Sequence, residues 1–192
     1  MNIIDATCPL VYEIHNEVKK LAKDGRQIII IGDHGHDEVV AIGDQVNNAV
    51  IISCPKEAKK LRKMKRAGIV SQSTQDLENI NEIIKILMTK VFDLHFVNTI
   101  CFPTKRNHEQ IEQIANNHDI MIIIGSFTSA NSKRLSQLSL KINKNTYQVS
   151  SANEVNPKWF KNIESIGISA GAYTPDYLIN DVKNKIEKIY EV

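Results

Sequence analysis

The chain is poor in almost every feature that would mark it at once. Of its 192 residues three are cysteine, one is tryptophan and 6% are aromatic, and the formal net charge is +2. Three cysteines are too few for a disulfide framework, so the thiols are packing groups, metal ligands or nucleophiles. A surplus of two positive charges is too small for a polyanion binder, and no nucleic-acid partner is expected. The longest apolar runs, such as Ile120 to Ile124, fall far short of the roughly 20 residues of a membrane span, which excludes membrane insertion by a helix. The first residues, Met1-Asn2-Ile3-Ile4-Asp5, have neither the basic flank nor the long apolar stretch of a secretory signal. A reducing cytoplasm is the expected location. What the chain does have, 42% hydrophobic and 24% charged residues, suits a soluble globular protein able to bury a core.

Internal repetition organises the sequence. Cys8 follows the strand-like Ile3-Ile4 and precedes a helical stretch from Val11 to Lys23; Cys101 follows Phe96-Val97 and precedes a helical stretch from Asn107 to Asn116. The two cysteines are 93 residues apart, and so are Gly32 and Gly125, which close the apolar runs Ile28 to Ile31 and Met121 to Ile124. Looser matches follow between Val50-Ile51-Ile52-Ser53 and Tyr147-Gln148-Val149-Ser150, and between Ile69-Val70-Ser71 and Ile168-Ser169-Ala170. Isoleucine and valine runs without polar alternation suit strands buried on both faces, and their alternation with amphipathic helices points to parallel sheets. The expected fold class is α/β, built of two related units with mainly parallel sheets, over residues 1–93 and 94–192. In such sheets the functional groups gather in the loops after the carboxyl ends of the strands, where helix N-termini present N–H donors and a positive dipole end.

Three constellations lie in those loops. A cysteine before a helix N-terminus is favoured as thiolate, the form that both a nucleophile and a soft metal ligand need. Cys8 and Cys101 occupy that place in both repeats; Cys54, matched by Ser151, reads as packing. The loop Gly32-Asp33-His34-Gly35-His36-Asp37-Glu38 can bind a divalent metal, bind phosphate or relay protons, with Glu38 a candidate general acid. The hydroxyl- and amide-rich loops Ser71 to Thr74, Ser126 to Ser132 and Ser169 to Thr174 are N-caps singly and an anion site together. The basic helix expected over Lys59 to Arg66 lacks interleaved aromatics and reads as a solvated face. Trp159 and Phe160 read as core anchors of a short helix.

The segments Asp5-Ala6-Thr7-Cys8-Pro9-Leu10-Val11, Gly35-His36-Asp37-Glu38-Val39, Ser71-Gln72-Ser73-Thr74, Thr99-Ile100-Cys101, Ser129-Ala130-Asn131-Ser132-Lys133-Arg134-Leu135 and Gly171-Ala172-Tyr173-Thr174-Pro175 together resemble the 4-hydroxy-3-methylbut-2-enyl diphosphate reductase family, also called LytB, over nearly the whole chain. The resemblance implies the second and third units of a three-unit trefoil. It implies an iron–sulfur enzyme of the non-mevalonate isoprenoid pathway, which reduces an allylic alcohol diphosphate to isopentenyl and dimethylallyl diphosphates. In that pattern Cys8 and Cys101 are ligands of a 4Fe–4S cluster, and Glu38 delivers protons to the departing hydroxyl. His36, Ser73 or Thr74, Ser129 and Asn131 bind the substrate diphosphate, with Ala130 and Tyr173 at two further positions of that site. The expected partners are the isoprenoid diphosphate, an electron donor such as ferredoxin or flavodoxin, and a separate N-terminal unit or a further copy of the chain.

Departures accompany the match. The family's first unit, carrying a cluster cysteine and two diphosphate histidines, is expected to be missing, since only four residues precede Asp5. Tyr173 and Ala130 stand where the family has serine, and Asn107-His108 where it has Arg-Gln. Two alternatives therefore stand beside the reductase: a degenerate, inactive homologue retained as a diphosphate-binding or interaction protein, and a mononuclear metal protein using His34, His36 and a carboxylate.

Overall fold

A computed structural model describes residues 7–190. The strand expected at Ile3-Ile4, and Asp5-Ala6 of the first motif, lie outside the described residues. The chain divides into two compact units, 1–101 and 102–192.

In the first unit, α1 (Pro9–Lys23) starts with proline in its first turn, where no intrahelical N–H is needed, and ends with Lys20 and Lys23 near the negative dipole end. It buries Ile14, Val18 and Leu21, a one-sided stripe at helical spacing. Then follow β1 (Gln27–Ile31), α2 (Asp37–Gly43), β2 (Val50–Ile52), α3 (Pro55–Lys60), β3 (Met64–Ser71), α4 (Leu77–Met88) and β4 (Val91–Phe96). The strands form one parallel sheet in the order β2-β1-β3-β4, with Ile31 level with both Ile52 and Ser71. Residues of α1 and α2, Ile14, Val18, Val39 and Ile42, pack on Ile28 and Ile30, while Ala58 of α3 and Ile80, Ile83 and Leu87 of α4 cluster with Ile29 and Ile31. Ile28 to Ile31 are each at most 2% exposed, and burial of each such side chain contributes about 1.5–3 kcal/mol. The double-sided coverage explains the unbroken isoleucine run.

The second unit repeats the plan: α5 (Phe102–Asn117), β5 (Ile120–Ile124), α6 (Ala130–Ile142), β6 (Thr146–Val149), two short 3-10 turns, β7 (Ile166–Ala170) and α7 (Asp176–Tyr190). Its parallel sheet has the order β6-β5-β7. Ile120, Ile122 and Ile124 cluster with Val182 and Ile186 of α7, and Met121 and Ile123 with Ile111 of α5 and Leu135 of α6. Trp159 and Phe160 act as anchors: Trp159 stacks on Tyr147 at 4.1 Å between ring centroids and Phe160 is buried.

Two local expectations are corrected. The basic segment is no helix over Lys59 to Arg66; α3 stops at Lys60, Leu61 is extended, and β3 opens at Met64, where pairing with β4 sets in. The strand before Cys101 does not open the second unit, because β4 pairs with β3 and so extends the first sheet, carrying the division to Cys101/Phe102.

Candidate functional site

In the first unit the carboxyl ends of β1 and β3 bring two sequence-distant segments together. Gln72 N–H donates to Ile31 O at 2.8 Å, and the Gln72 side-chain oxygen accepts from Asp33 N–H at 2.9 Å. This anchors the loop that leads into α2. His36 is the N-cap of α2, and its Nδ1 accepts from Glu38 N–H at 3.3 Å. An imidazole that accepts through Nδ1 carries its proton on Nε2, which leaves that nitrogen a donor for an anion.

Glu38, one residue into the first turn from Asp37, turns its carboxylate to the loop after β3. Ser73 N–H donates to Oε1 at 2.7 Å and the Ser73 hydroxyl to Oε2 at 2.9 Å. Ser73 also accepts, through its carbonyl, from Cys101 N–H at 3.0 Å. Thr99, two residues earlier, is buried and fixed to Ser71, whose N–H donates to Thr99 Oγ1 at 2.8 Å. His36, Glu38, Ser73 and Cys101 therefore belong to one constellation at the carboxyl edge of the sheet. Thr74 Oγ1 accepts from the Gln72 amide at 3.0 Å. Cys8 is the N-cap of α1, exposed, with no side-chain capping bond, and Cys101 is half-buried immediately before α5.

Cys54 caps α3 without a side-chain bond. Beside it, Glu57 accepts from Ser53 N–H at 2.7 Å and pairs with His34 Nε2 at 2.9 Å. The Ser53 N–H, then His34, hold the Glu57 carboxyl below the usual glutamate range. The mononuclear metal reading is corrected by this geometry: His34 turns to Glu57, His36 caps its own helix, and no group of three or more His, Cys, Asp or Glu able to hold a metal occurs among the described residues.

The second unit builds a cavity of about 310 Å³ at the same edge of its sheet. Ser129, Asn131, Gly171 and Tyr173 line it with Ser126, Ser132 and Thr174 of the same two hydroxyl-rich loops, joined by Ser150 at the end of β6, which the sequence did not mark as a site residue. Ser129 is the N-cap of α6, its hydroxyl accepting from Ser132 N–H at 3.3 Å. Ser132 Oγ sits where a side chain on Gly125 or on Gly171 would have to go, so two strand ends close on one hydroxyl. Thr174 Oγ1 ties the far wall to Ile124 O at 3.1 Å. Asn131 is 7% exposed, and neither Nδ2 nor Oδ1 of its side chain has a hydrogen-bond partner. A buried amide in that condition carries a desolvation cost of about 1–3 kcal/mol that a ligand would relieve. Ala130, the first residue of α6, offers no polar side-chain atom, and Tyr173 stands at the mouth, 91% exposed.

The repeat register relates the two sites. Adding 93 takes His36 to Ser129, Glu38 to Asn131 and Val39 to Ser132, so the same helix turn carries an acid in one unit and an amide in the other. Glu38 has Ser73 as its mate; the corresponding loop of the second unit has Ala172, and Asn131 is left without one.

A four-iron cluster is held in its common form by four cysteine thiolates. Among the described residues Cys8 and Cys101 stand with no third donor grouped beside them. These residues alone do not fit a 4Fe–4S cluster.

A family model described as LytB protein matches residues 1–187. The 4-hydroxy-3-methylbut-2-enyl diphosphate reductase of Geotalea uraniireducens is 36% identical over 190 residues, covering 98% of this chain and 67% of its own length. The enzyme of the same name from Aquifex aeolicus is 35% identical over 195 residues, covering all of this chain and 68% of its own. A solved structure of (E)-4-hydroxy-3-methyl-but-2-enyl diphosphate reductase, described as the terminal enzyme of the non-mevalonate pathway, is 34% identical with a TM-score of 0.62 over 97% of this chain and 68% of that one. The Plasmodium falciparum reductase structure is 26% identical with a TM-score of 0.87 over 96% of this chain and 59% of that one. No helix among the described residues is long and apolar enough to cross a membrane.

Proposed function

The chain belongs to the LytB family, and from that premise we propose that it carries the diphosphate-binding and proton-delivering parts of a 4-hydroxy-3-methylbut-2-enyl diphosphate reductase acting in isoprenoid biosynthesis. The observation that carries this reading is the Asn131 amide, buried and without a partner at the wall of a hydroxyl-lined cavity. Its Nδ2 donates to a diphosphate oxygen, together with the hydroxyls of Ser129 and Ser132 and the N–H groups at the α6 N-terminus. In the first unit, taken by itself, His36 accepts from Glu38 N–H through Nδ1 and presents its Nε2 as a separate anion donor. Tyr173 contributes a longer hydroxyl from the cavity mouth.

Glu38 is the proton carrier. As a carboxylic acid it gives its proton to the allylic hydroxyl, which departs as water, and the carboxylate that remains is received by the two Ser73 donors already in place. Reduction requires electrons that neither residue supplies. We assign Cys8 and Cys101 as two thiolate ligands of a 4Fe–4S cluster whose further ligand comes from outside these 192 residues, in a separate unit or a second copy, with ferredoxin or flavodoxin as electron donor and the cytoplasm as location.

Titration calorimetry with inorganic pyrophosphate and with the allylic alcohol diphosphate tests the binding half. Saturable binding to the chain, weakened by roughly tenfold or more in Asn131→Leu, is expected; binding unaffected by that change would refute the assignment. The departures Tyr173 and Ala130, with only two matched cysteines, favour a second reading, an inactive diphosphate-binding homologue. Anaerobic reconstitution with a supplied N-terminal unit separates the two. Iron and sulfide at about four per complex together with turnover support the reductase, and diphosphate binding without cluster uptake supports the homologue.

A further inference from the structure

The first sheet ends on an unguarded strand. β4 pairs with β3 through one edge, and no other strand among the described residues meets its outer edge. Natural edge strands are blunted by shortness, lysine, proline or a bulge. β2, at the opposite edge, is three residues long; the edges of the second sheet are β6, four residues, and β7, which contains Gly167. β4 has six residues and neither lysine nor proline. Its Phe92 is 91% exposed, and both His95 and Met88, the last residue of α4, are exposed as well. An aromatic ring held in water beside an open main-chain edge marks an interaction surface.

The strand's own sequence points to the partner. Val91-Phe92-Asp93-Leu94-His95-Phe96-Val97 is symmetric about Leu94: valine stands at both ends, phenylalanine next, then an acid opposite an imidazole. The main chain agrees with that centre. Val97 N–H donates to Ile69 O at 2.9 Å. N–H groups alternate between the two edges along a strand, so Leu94 and Phe96 turn theirs to the open side.

We infer that β4 is the contact of a symmetric dimer, pairing antiparallel with β4 of a second copy around Leu94 and joining two four-stranded sheets into one. Leu94 exchanges main-chain hydrogen bonds with its counterpart, Phe92 of each copy faces Phe96 of the other, and Val91 faces Val97. The two-fold axis is perpendicular to the sheet, so paired side chains share a face and Phe92 gains an aromatic neighbour. Asp93 faces His95. Arg26 and Arg66 of its own copy hold Asp93, yet 43% of that side chain stays exposed and its carboxylate can also receive the His95 ring N–H. The neighbouring symmetric registers, centred on Asp93 or on His95, would oppose two carboxylates or two imidazoles, which selects the register centred on Leu94.

Sedimentation equilibrium and amide exchange on the whole chain test this. A monomer–dimer equilibrium is expected. The Leu94 amide should be protected from exchange only at concentrations where the dimer forms, while the Val97 amide, already bonded to Ile69, is protected throughout. Phe92→Lys changes a solvated side chain and should leave the urea midpoint unchanged. It should raise the dimer dissociation constant by roughly tenfold, since two Phe92–Phe96 pairs are lost in each dimer. His95→Asp sets carboxylates against each other and should also weaken the dimer, whereas His95→Lys should retain it. A chain that stays monomeric at every concentration overturns the inference, as does a dimer that Phe92→Lys leaves intact or in which the Leu94 amide still exchanges freely. Protection of Leu94 that appears only on adding a separately expressed N-terminal unit gives the edge to that unit and overturns it too.

Discussion

Ser73 holds Glu38 from two sides, its N–H on one carboxylate oxygen at 2.7 Å and its hydroxyl on the other at 2.9 Å, although 35 residues separate them. Replacing the serine by alanine removes the hydroxyl bond and keeps the backbone one. Ser73→Ala should therefore cost about 1 kcal/mol in urea unfolding, the usual value of a single hydrogen bond at a partly exposed site. In the reconstituted reductase it should lower kcat while leaving KM for the diphosphate substrate nearly unchanged, because the carboxylate formed by proton transfer loses a donor. A rise in KM with kcat intact would instead make Ser73 a diphosphate ligand.

Asn131 lets stability and binding be separated. Its buried amide has no partner, so Asn131→Leu removes an unsatisfied polar group at similar volume. The folded state should be as stable as the native chain or more so. Pyrophosphate affinity should fall by roughly tenfold or more, the worth of one good hydrogen bond to a charged oxygen. A variant that loses stability and affinity together would show that the amide serves the core and not a ligand.

The parts of this molecule legible from sequence are those fixed by local pattern. Ile28 to Ile31 and Met121 to Ile124 read as doubly buried strands because no polar residue interrupts them, and the paired Cys8 and Cys101 set the repeat. The misreadings have physical causes. Lys59 to Arg66 carries six cations and looks helical, yet Met64 to Ser71 is claimed by the sheet, an override of local propensity by strand pairing. Phe102 begins α5 earlier than the apolar periodicity from Asn107 suggests, with Pro103 tolerated in the first turn. Motif matching placed Glu38 and Ser73 in one site; the bond between them needed the β1–β3 register. Asn131 and Ser132 lie in a segment legible as part of an anion site; what needed the folded chain is that the Asn131 amide has no partner and that Gly125 and Gly171 close on the Ser132 hydroxyl.

That closure makes a double-variant prediction. An alanine Cβ at Gly171 would fall on Ser132 Oγ well inside van der Waals contact, while Ser132 Cβ is 3.6 Å away. Gly171→Ala should destabilise the second unit by about 1–3 kcal/mol, the usual range for overpacking, and adding Ser132→Ala should recover most of the loss. At Gly125 the added Cβ would also lie 2.9 Å from Ser132 Cβ. Gly125→Ala should therefore gain little from the same second change. Thermal unfolding of the four variants decides it, and equal rescue at both glycines would contradict the geometry.

Acid should loosen the first unit through Asp93 and Asp24. Arg26 grips Asp93 with Nη1 at 2.9 Å and Nη2 at 3.1 Å, Arg66 adds its Nε at 3.1 Å, and Asp24 binds the same two arginines. For each aspartate the Arg26 hydrogen bond is the main cause holding its pKa below the ordinary 3.8, with Arg66 acting in the same direction. A folded pKa below the unfolded one means that the unfolded chain binds more protons, so the stabilisation is complete above the ordinary aspartate range and is lost as pH falls through it. The urea midpoint should decline from about pH 5 toward about pH 2, less steeply in Asp93→Asn. An identical acid limb in that variant would show that the network does not report on folding.

The three thiols should behave as two kinds. Cys8 and Cys101 occupy matching places before α1 and α5, while Cys54 caps the six-residue α3 beside the Glu57 and Ser53 bond. When a separately expressed N-terminal unit supplies the further thiolate and the complex is reconstituted anaerobically, the visible thiolate-to-iron absorbance should be lost or strongly weakened in Cys8→Ser and in Cys101→Ser. Cys54→Ser should retain it in full, since a serine there changes only a half-buried surface position. Exposure alone would rank the thiols otherwise, with Cys8 exposed and both Cys54 and Cys101 half-buried. The repeat register groups Cys101 with Cys8, and an absorbance that depended on Cys54 and not on Cys101 would break the repeat-based assignment at its root.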